Sequence, residues 1–213
     1  MRYLSWLFIV IGVLLAGYGA YDYYSARIAQ HEAAQEWTST PPPAADDSEA
    51  PVPDKSPGDA QPYFDPYRHG DTVAKLILPH LNTPLYVVEG TDQKALRKGP
   101  GHMPGTALPG VEGNCVIAGH RDTHFRALQA IRPGDEVEIE TKYGKFRYKV
   151  EGSEIVLPTN VKSLYPTRKG VLHLVTCYPF EYVGHAPKRM VIEAVLMHPQ
   201  SDDQVAPASA GGE

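Results

Sequence analysis

Cys177, His120 and Arg189 are the side chains in this 213-residue chain whose types could together carry out acyl transfer. A thiol becomes a useful nucleophile only as its thiolate, so an imidazole within reach matters. The imidazole can take the thiol proton and later hand it to a leaving amine. The carbonyl under attack becomes an oxyanion, which a guanidinium or a backbone N–H can stabilise. Each of the three stands at the edge of an apolar run: Gly113-Asn114-Cys115-Val116-Ile117-Ala118-Gly119-His120, Leu172-His173-Leu174-Val175-Thr176-Cys177-Tyr178-Pro179, and Lys188-Arg189-Met190-Val191-Ile192. Groups mounted on strand ends are held rigidly yet stay open to a ligand. If residues 178–187 form a connecting loop, the runs on either side are antiparallel neighbours, which puts Cys177 and Arg189 at one end of a sheet.

The elements that must position these residues are strands. Val73–Leu78, Leu85–Val88, Val116–Ala118, Glu136–Glu140, Lys145–Glu151, Leu172–Thr176 and Met190–Met197 are short and apolar, and several alternate with period two. Tyr143-Gly144 fits the turn of a hairpin between the fourth and fifth of them. One short helix fits Asp92–Lys98, with Thr91 as N-cap and Gly99-Pro100 as the stop. Many short strands with Gly and Pro turns and almost no helix predict an all-β fold, a closed barrel or a sandwich.

Outside this region the chain changes character. Leu4–Tyr21 carries no charge, is close to the length that spans a bilayer, and is flanked by Trp6 and by Tyr18, Tyr21, Tyr23 and Tyr24. A transmembrane anchor over 1–24 is expected; a cleaved signal peptide is the competing reading, given the small residues Gly17–Ala20. Arg2 on one flank and acidic residues on the other put the N-terminus in the cytoplasm and the domain outside. A linker dense in Pro, Ala, Asp and Ser follows over 25–72, with a brief helical continuation at Ala26–Glu36. Its composition cannot bury enough apolar surface to fold. The polar residues 198–213 form a tail, leaving 73–197 as the folded domain. The formal charge of -5 and the lack of any Lys/Arg run argue against nucleic acid as a partner.

In their order and spacing, LRKGPGHMPGTALPGVEGN, VIAGHRDTHF, LHLVTCYPF and APKRMVI resemble the sortase family of cysteine transpeptidases. His120, Cys177 and Arg189 fall on that family's Gly-His, Thr-Cys and last-strand Arg positions. The Gly-His-Arg-Asp-Thr stretch is most similar to class D-type sortases or the related Gram-negative group. His173 stands where the family's Thr-Leu-x-Thr-Cys pattern has its first Thr, which affects the pocket wall rather than the nucleophile. The resemblance implies a closed barrel of about eight strands with one or two short helices. It also implies that Cys177 attacks the Thr carbonyl of a Leu-Pro-x-Thr-Gly or Leu-Pro-x-Thr-Ala sorting motif on a protein substrate, forming a thioester. An amine on a cell-wall precursor or another protein then resolves it. Arg189 would stabilise the oxyanion or hold the substrate backbone, and Thr176 would contribute to substrate binding. No cofactor is implied.

Several features have plainer readings. Cys115 lies five residues before His120, about 17 Å along a strand. A disulfide to a Cys177 that sits against His120 would therefore be out of reach, which makes Cys115 a small core residue. His102, His124, His173, His185 and His198 show no zinc-ligand spacing, so no metal site is expected; His124 stands near enough to His120 to line the same cleft. Arg121 fits a salt bridge to Asp122 or Asp135. Leu157-Pro158-Thr159-Asn160 is a loop despite its likeness to a sorting motif. Two other functions compete: an exported cysteine transpeptidase acting on peptidoglycan, and a non-catalytic β-domain on a tether. The first normally carries a Ser-His-Gly-Cys segment, which Val175-Thr176-Cys177-Tyr178 does not match. The second predicts a Cys177 of ordinary reactivity.

Overall fold

The computed structural model describes residues 2–39, 67–79, 81, 83–182 and 184–197. Alternating strands close on themselves into a barrel. β1 (Thr72–Ile77), β2 (Leu85–Glu89), β3 (Gly101–His102), β4 (Gly113–Gly119), β5 (Glu136–Thr141), β6 (Gly144–Val156), β7 (Gly170–Tyr178) and β8 (Lys188–Leu196) follow the spatial order β1-β2-β3-β4-β7-β8-β6-β5, with β5 returning to β1. The period-two pattern turns one side chain in two toward the axis. Leu172 and Leu174 of β7, Ile117 of β4, Ile192 and Ala194 of β8, and Val137 and Ile139 of β5 meet there at 2% exposure or less. Closure leaves the barrel without a long free sheet edge.

The all-β class and the strand count match expectation, and the differences from the sequence reading are local. β3 is only two residues long, too short for alternation to reveal. It exists because Gly101 lets the backbone pass against Gly90, where a Cβ would come within 2.0 Å of the Gly90 carbonyl oxygen. The N-cap of helix α2 (Gln93–Lys98) is Asp92 and not Thr91: the Asp92 carboxylate accepts from the N–H groups of Lys94 and Ala95 at 2.8 and 3.3 Å. A cap must reach the second and third helical N–H groups, and Thr91 stands one residue too early. β6 runs through to Val156, past the expected Glu151, because a register shift between Val150 and Gly152 lets it go on pairing with β8.

The N-terminal helix α1 spans Arg2–Ser39. From Trp6 onward its first half is exposed, and it is long and apolar enough to cross a bilayer. The helical continuation expected at Ala26–Glu36 is present: within the stretch assigned to the linker, α1 runs on to Ser39 and packs on the barrel, burying Ala33 and Trp37. The Gln30 amide joins them: its Oε1 accepts from the Tyr86 N–H at 2.9 Å, and its Nε2 donates to the Tyr86 and Lys98 carbonyls at 3.1 and 2.6 Å. Tyr86 precedes the stretch of β2 that pairs with β3, so Gln30 supplies the hydrogen bonds a longer neighbouring strand would have given. Glu36 accepts from the Thr72 hydroxyl at 2.9 Å one and a half turns on. Residues 40–66 of the expected linker and the tail 198–213 lie outside the described residues.

Candidate active site

The site is built by strand register. β7 and β8 are antiparallel with Cys177 directly opposite Arg189. β4 and β7 are parallel, with Gly119 opposite Thr176, so His120, one residue further, comes level with Cys177. On the other side β6 places Val156 opposite Arg189. Neighbouring strands lie about 4.8 Å apart, so the backbones at His120, Cys177 and Arg189 stand in one row across the ends of β4, β7 and β8. Leu172, Leu174 and Thr176 are buried and face the axis. The alternate residues Val171, His173, Val175 and Cys177 therefore face outward. Cys177, His120 and Arg189 are half-buried, accessible without being fully in water.

Local contacts fix the row. The Thr176 hydroxyl, buried on the opposite face from Cys177, donates to the Gly119 carbonyl at 2.7 Å and ties the ends of β7 and β4 together. Gly119 allows the Phe125 ring to close against the backbone, since a Cβ there would lie 2.6 Å from a ring carbon. Phe125 N–H donates back to the His120 carbonyl at 3.0 Å. Arg189 Nη1 donates to the Lys188 and Ala186 carbonyls at 2.9 and 3.2 Å, which holds the guanidinium at the mouth of the barrel. His124, the residue expected near His120, is buried, and its Nε2 has no hydrogen-bond partner. Burial first, and the neighbouring His120 second, push its pKa down to about 4, opposed by a hydrogen bond with the Arg97 backbone. It is neutral at physiological pH, so it adds no fixed positive charge beside His120.

Arg121 does more than the expected salt bridge. Its Nε lies 3.3 Å from Asp122, as expected, but that carboxylate is largely exposed. The buried guanidinium instead donates to the carbonyls of Pro179, Tyr182 and Gly184 at 2.9, 2.6 and 3.1 Å, gathering the loop between β7 and β8. Sequence spacing gives no sign of this, because the partners are backbone atoms some sixty positions away. Asp135 instead accepts from the Arg132 N–H within its own turn at 2.9 Å. Cys115 and Cys177 are both free thiols, and Cys115 is buried in the core.

His102 lies away from the row, inside the barrel. Its Nδ1 is 2.7 Å from a Glu89 carboxylate oxygen and its Nε2 is 3.0 Å from the Ala107 carbonyl. Both partners are acceptors, so both ring nitrogens carry protons. Burial would lower its pKa, but hydrogen bonds with Cys115 and Glu89 outweigh burial and raise it to about 10.

The fold has counterparts among known proteins. Residues 76–197 match the family description "Sortase domain". The chain is 39% identical over 125 residues to Sortase D of Bacillus subtilis, covering 58% of this chain and 63% of that protein. It is 30% identical over 197 residues to Sortase SrtE1 of Streptomyces coelicolor, covering 84% of this chain and 53% of that one. The chain thus spans less than two thirds of the length of these curated relatives. Among solved structures, the Sortase D5 transpeptidase of Clostridium perfringens superposes with a TM-score of 0.56 at 27% identity, over 62% of this chain and 82% of that one.

Proposed function

The chain belongs to the sortase family, and on that premise we propose that it is a membrane-anchored cysteine transpeptidase that cleaves a Leu-Pro-x-Thr-Gly or Leu-Pro-x-Thr-Ala sorting motif through a Cys177 thioester. The observation that carries this reading is the register that puts His120, Cys177 and Arg189 side by side on consecutive strands, facing outward at one mouth of the barrel.

The steps follow from the chemistry of the three groups. His120 takes the proton of the Cys177 thiol, and the thiolate attacks the Thr carbonyl carbon of the motif. The carbonyl oxygen becomes an oxyanion, which the Arg189 guanidinium stabilises without moving. When the C–N bond breaks, protonated His120 returns its proton to the departing amine, leaving a thioester on Cys177. An amine of a cell-wall precursor or another protein then attacks the thioester, loses its proton to His120 and expels the Cys177 sulfur. Thr176 keeps the strand ends aligned in this reading, and Arg121 keeps the loop before Arg189 in place. The apolar part of α1 anchors the enzyme, with its N-terminus cytoplasmic and the barrel outside.

The test is mass detection of a thioester. The full-length protein in detergent, given a Leu-Pro-x-Thr-Gly peptide, acquires the mass of the acyl fragment on the peptide bearing Cys177, and an added amine releases it. Cys177→Ala abolishes the adduct while the protein keeps its far-UV spectrum and melting transition. A cleavage rate unchanged in Cys177→Ala would sink the reading.

A further inference from the structure

The acyl-transfer steps turn on His120, yet the β4–β7 ladder that aligns it stops one residue short. The last paired rung is Gly119 opposite Thr176, so His120 is held by the turn that follows it. The Phe125 N–H closes that turn on the His120 carbonyl at 3.0 Å. The buried His124 ring, inside the same turn, shares a hydrogen bond with the backbone of Arg97. Arg97 lies in the last turn of α2, so the His120 turn rests on α2 and not on a strand.

What holds α2 comes from outside the barrel. The last turn of a helix presents carbonyls with no partner inside the helix, and the Lys98 carbonyl accepts from Gln30 Nε2 of α1 at 2.6 Å. The same amide takes both main-chain groups of Tyr86, accepting from its N–H at 2.9 Å and donating to its carbonyl at 3.1 Å. Gly99 leaves the space for this: a Cβ there would lie 2.4 Å from Gln30 Nε2 and 2.4 Å from the Tyr86 carbonyl oxygen. One side chain thus ties the end of α2 to β2 through main-chain atoms on both. Immediately beyond, Gly101 and His102 pair with Ala118 and Ile117. This two-residue strand is the other neighbour of the β4 end, so both supports on that flank of His120 pass through residues 97–102.

We propose that Gln30 is a positioning residue for the acyl transfer: by pinning the end of α2 to β2 it sets the His120 turn against Cys177. Gln30 touches no reacting atom and lies outside residues 76–197, the part that matches the family. Its role rests on the acyl-transfer reading above and adds one residue of α1 to the catalytic arrangement. A misplacement of about 1 Å at a reacting group costs on the order of a hundredfold in rate. A smaller shift of the His120 turn is expected to slow proton transfer from Cys177 by less than that. The Cys177 and Arg189 strands pair with each other over eight rungs that do not involve α2, so substrate binding on them is spared.

The experiment uses the full-length protein in detergent with a Leu-Pro-x-Thr-Gly peptide. Gln30→Met keeps the length of the side chain without its amide, and Gln30→Glu sets a carboxylate against the Tyr86 and Lys98 carbonyls. Both are expected to lower the rate constant for acylation of Cys177 at least fivefold, the Glu variant further, with KM within twofold of native. Amide exchange at Phe125, which reports on the His120 turn, quickens at least fivefold in both. Trp37→Phe, about 10 Å further along α1, shrinks a buried contact of the same helix and leaves the acylation rate within twofold. Native rates in both Gln30 variants, unchanged exchange at Phe125, or an equal loss of rate in Trp37→Phe would overturn the positioning role and leave the transpeptidase reading standing. No acylation of Cys177 in the native protein would remove the activity and the role of Gln30 together.

Discussion

Replacing Arg121 by alanine tests how far the site depends on a residue that touches no reacting atom. The buried guanidinium donates three hydrogen bonds to the Pro179, Tyr182 and Gly184 carbonyls. Its contact with the exposed Asp122 adds little. A hydrogen bond from a charged donor contributes about 1.5–3 kcal/mol, less where water can replace the lost partner. Tyr182 and Gly184 are exposed, so their carbonyls rehydrate, while half-buried Pro179 is served less well. The Tyr182 ring, 5.8 Å from the guanidinium carbon, adds roughly 0.5 kcal/mol. The sum is about 3 kcal/mol for Arg121→Ala. Arg121→Lys keeps the charge but not the planar fork, and loses about half as much. Urea unfolding at fixed pH measures both. Because the loop runs directly from Cys177 to Arg189, acyl-transfer turnover in Arg121→Ala drops at least tenfold. An alanine variant within 1 kcal/mol of the native protein, or a lysine variant equal to it, would refute the reasoning.

Three other perturbations have defined outcomes. The His102 pKa is raised to about 10, against about 6.5 in an unfolded chain. Between those values the folded state holds a proton the unfolded state has lost, so stability is full below about pH 6.5 and declines toward pH 10; pH-dependent melting shows the decline, and His102→Gln removes it. Gly119→Ala drives a methyl group into the Phe125 ring at 2.6 Å; overpacking of this kind costs about 1–3 kcal/mol, and the displaced strand end carries His120 away from Cys177, so thioester formation is lost well below the melting temperature. Gln30→Ala leaves the Tyr86 N–H without its acceptor; hydrogen exchange at Tyr86 accelerates at least tenfold, whereas exchange in β7 is unchanged.

Much of this architecture was legible from residue order, and the rest was not for identifiable reasons. β5 and β7 alternate cleanly, so their faces could be read directly. Cys177 and Arg189 flank one short connection, which fixed their shared end before any register was known. His120 needed more, because β4 and β7 are parallel and joined through fifty residues, 120–169, that include two other strands; only the family resemblance placed it. β3 escaped because two residues hold no period. The role of Arg121 escaped because its partners are main-chain carbonyls, which have no sequence signature. The docked half of α1 was obscured by its Ala-rich, polar surface, where Ala33 and Trp37 are the buried apolar residues among those described and polar Gln30 and Glu36 make the hydrogen bonds.

The seat of α1 also sets which way the enzyme looks. Moving from Gln30 to Glu36, the helix contacts Tyr86 and then Thr72, the rung of Val88, so it ascends alongside β2 in the same sense. β2 starts at the end of the barrel where β4 and β7 finish and β8 begins. The apolar half of the helix therefore projects beyond the end bearing Cys177. With that half seated in a bilayer, Gln30 stands only about 9 Å above Tyr24. On the proposed anchoring, the end of the barrel that carries Cys177 is therefore the end nearer the bilayer, and the thiol opens sideways from the barrel wall at that end.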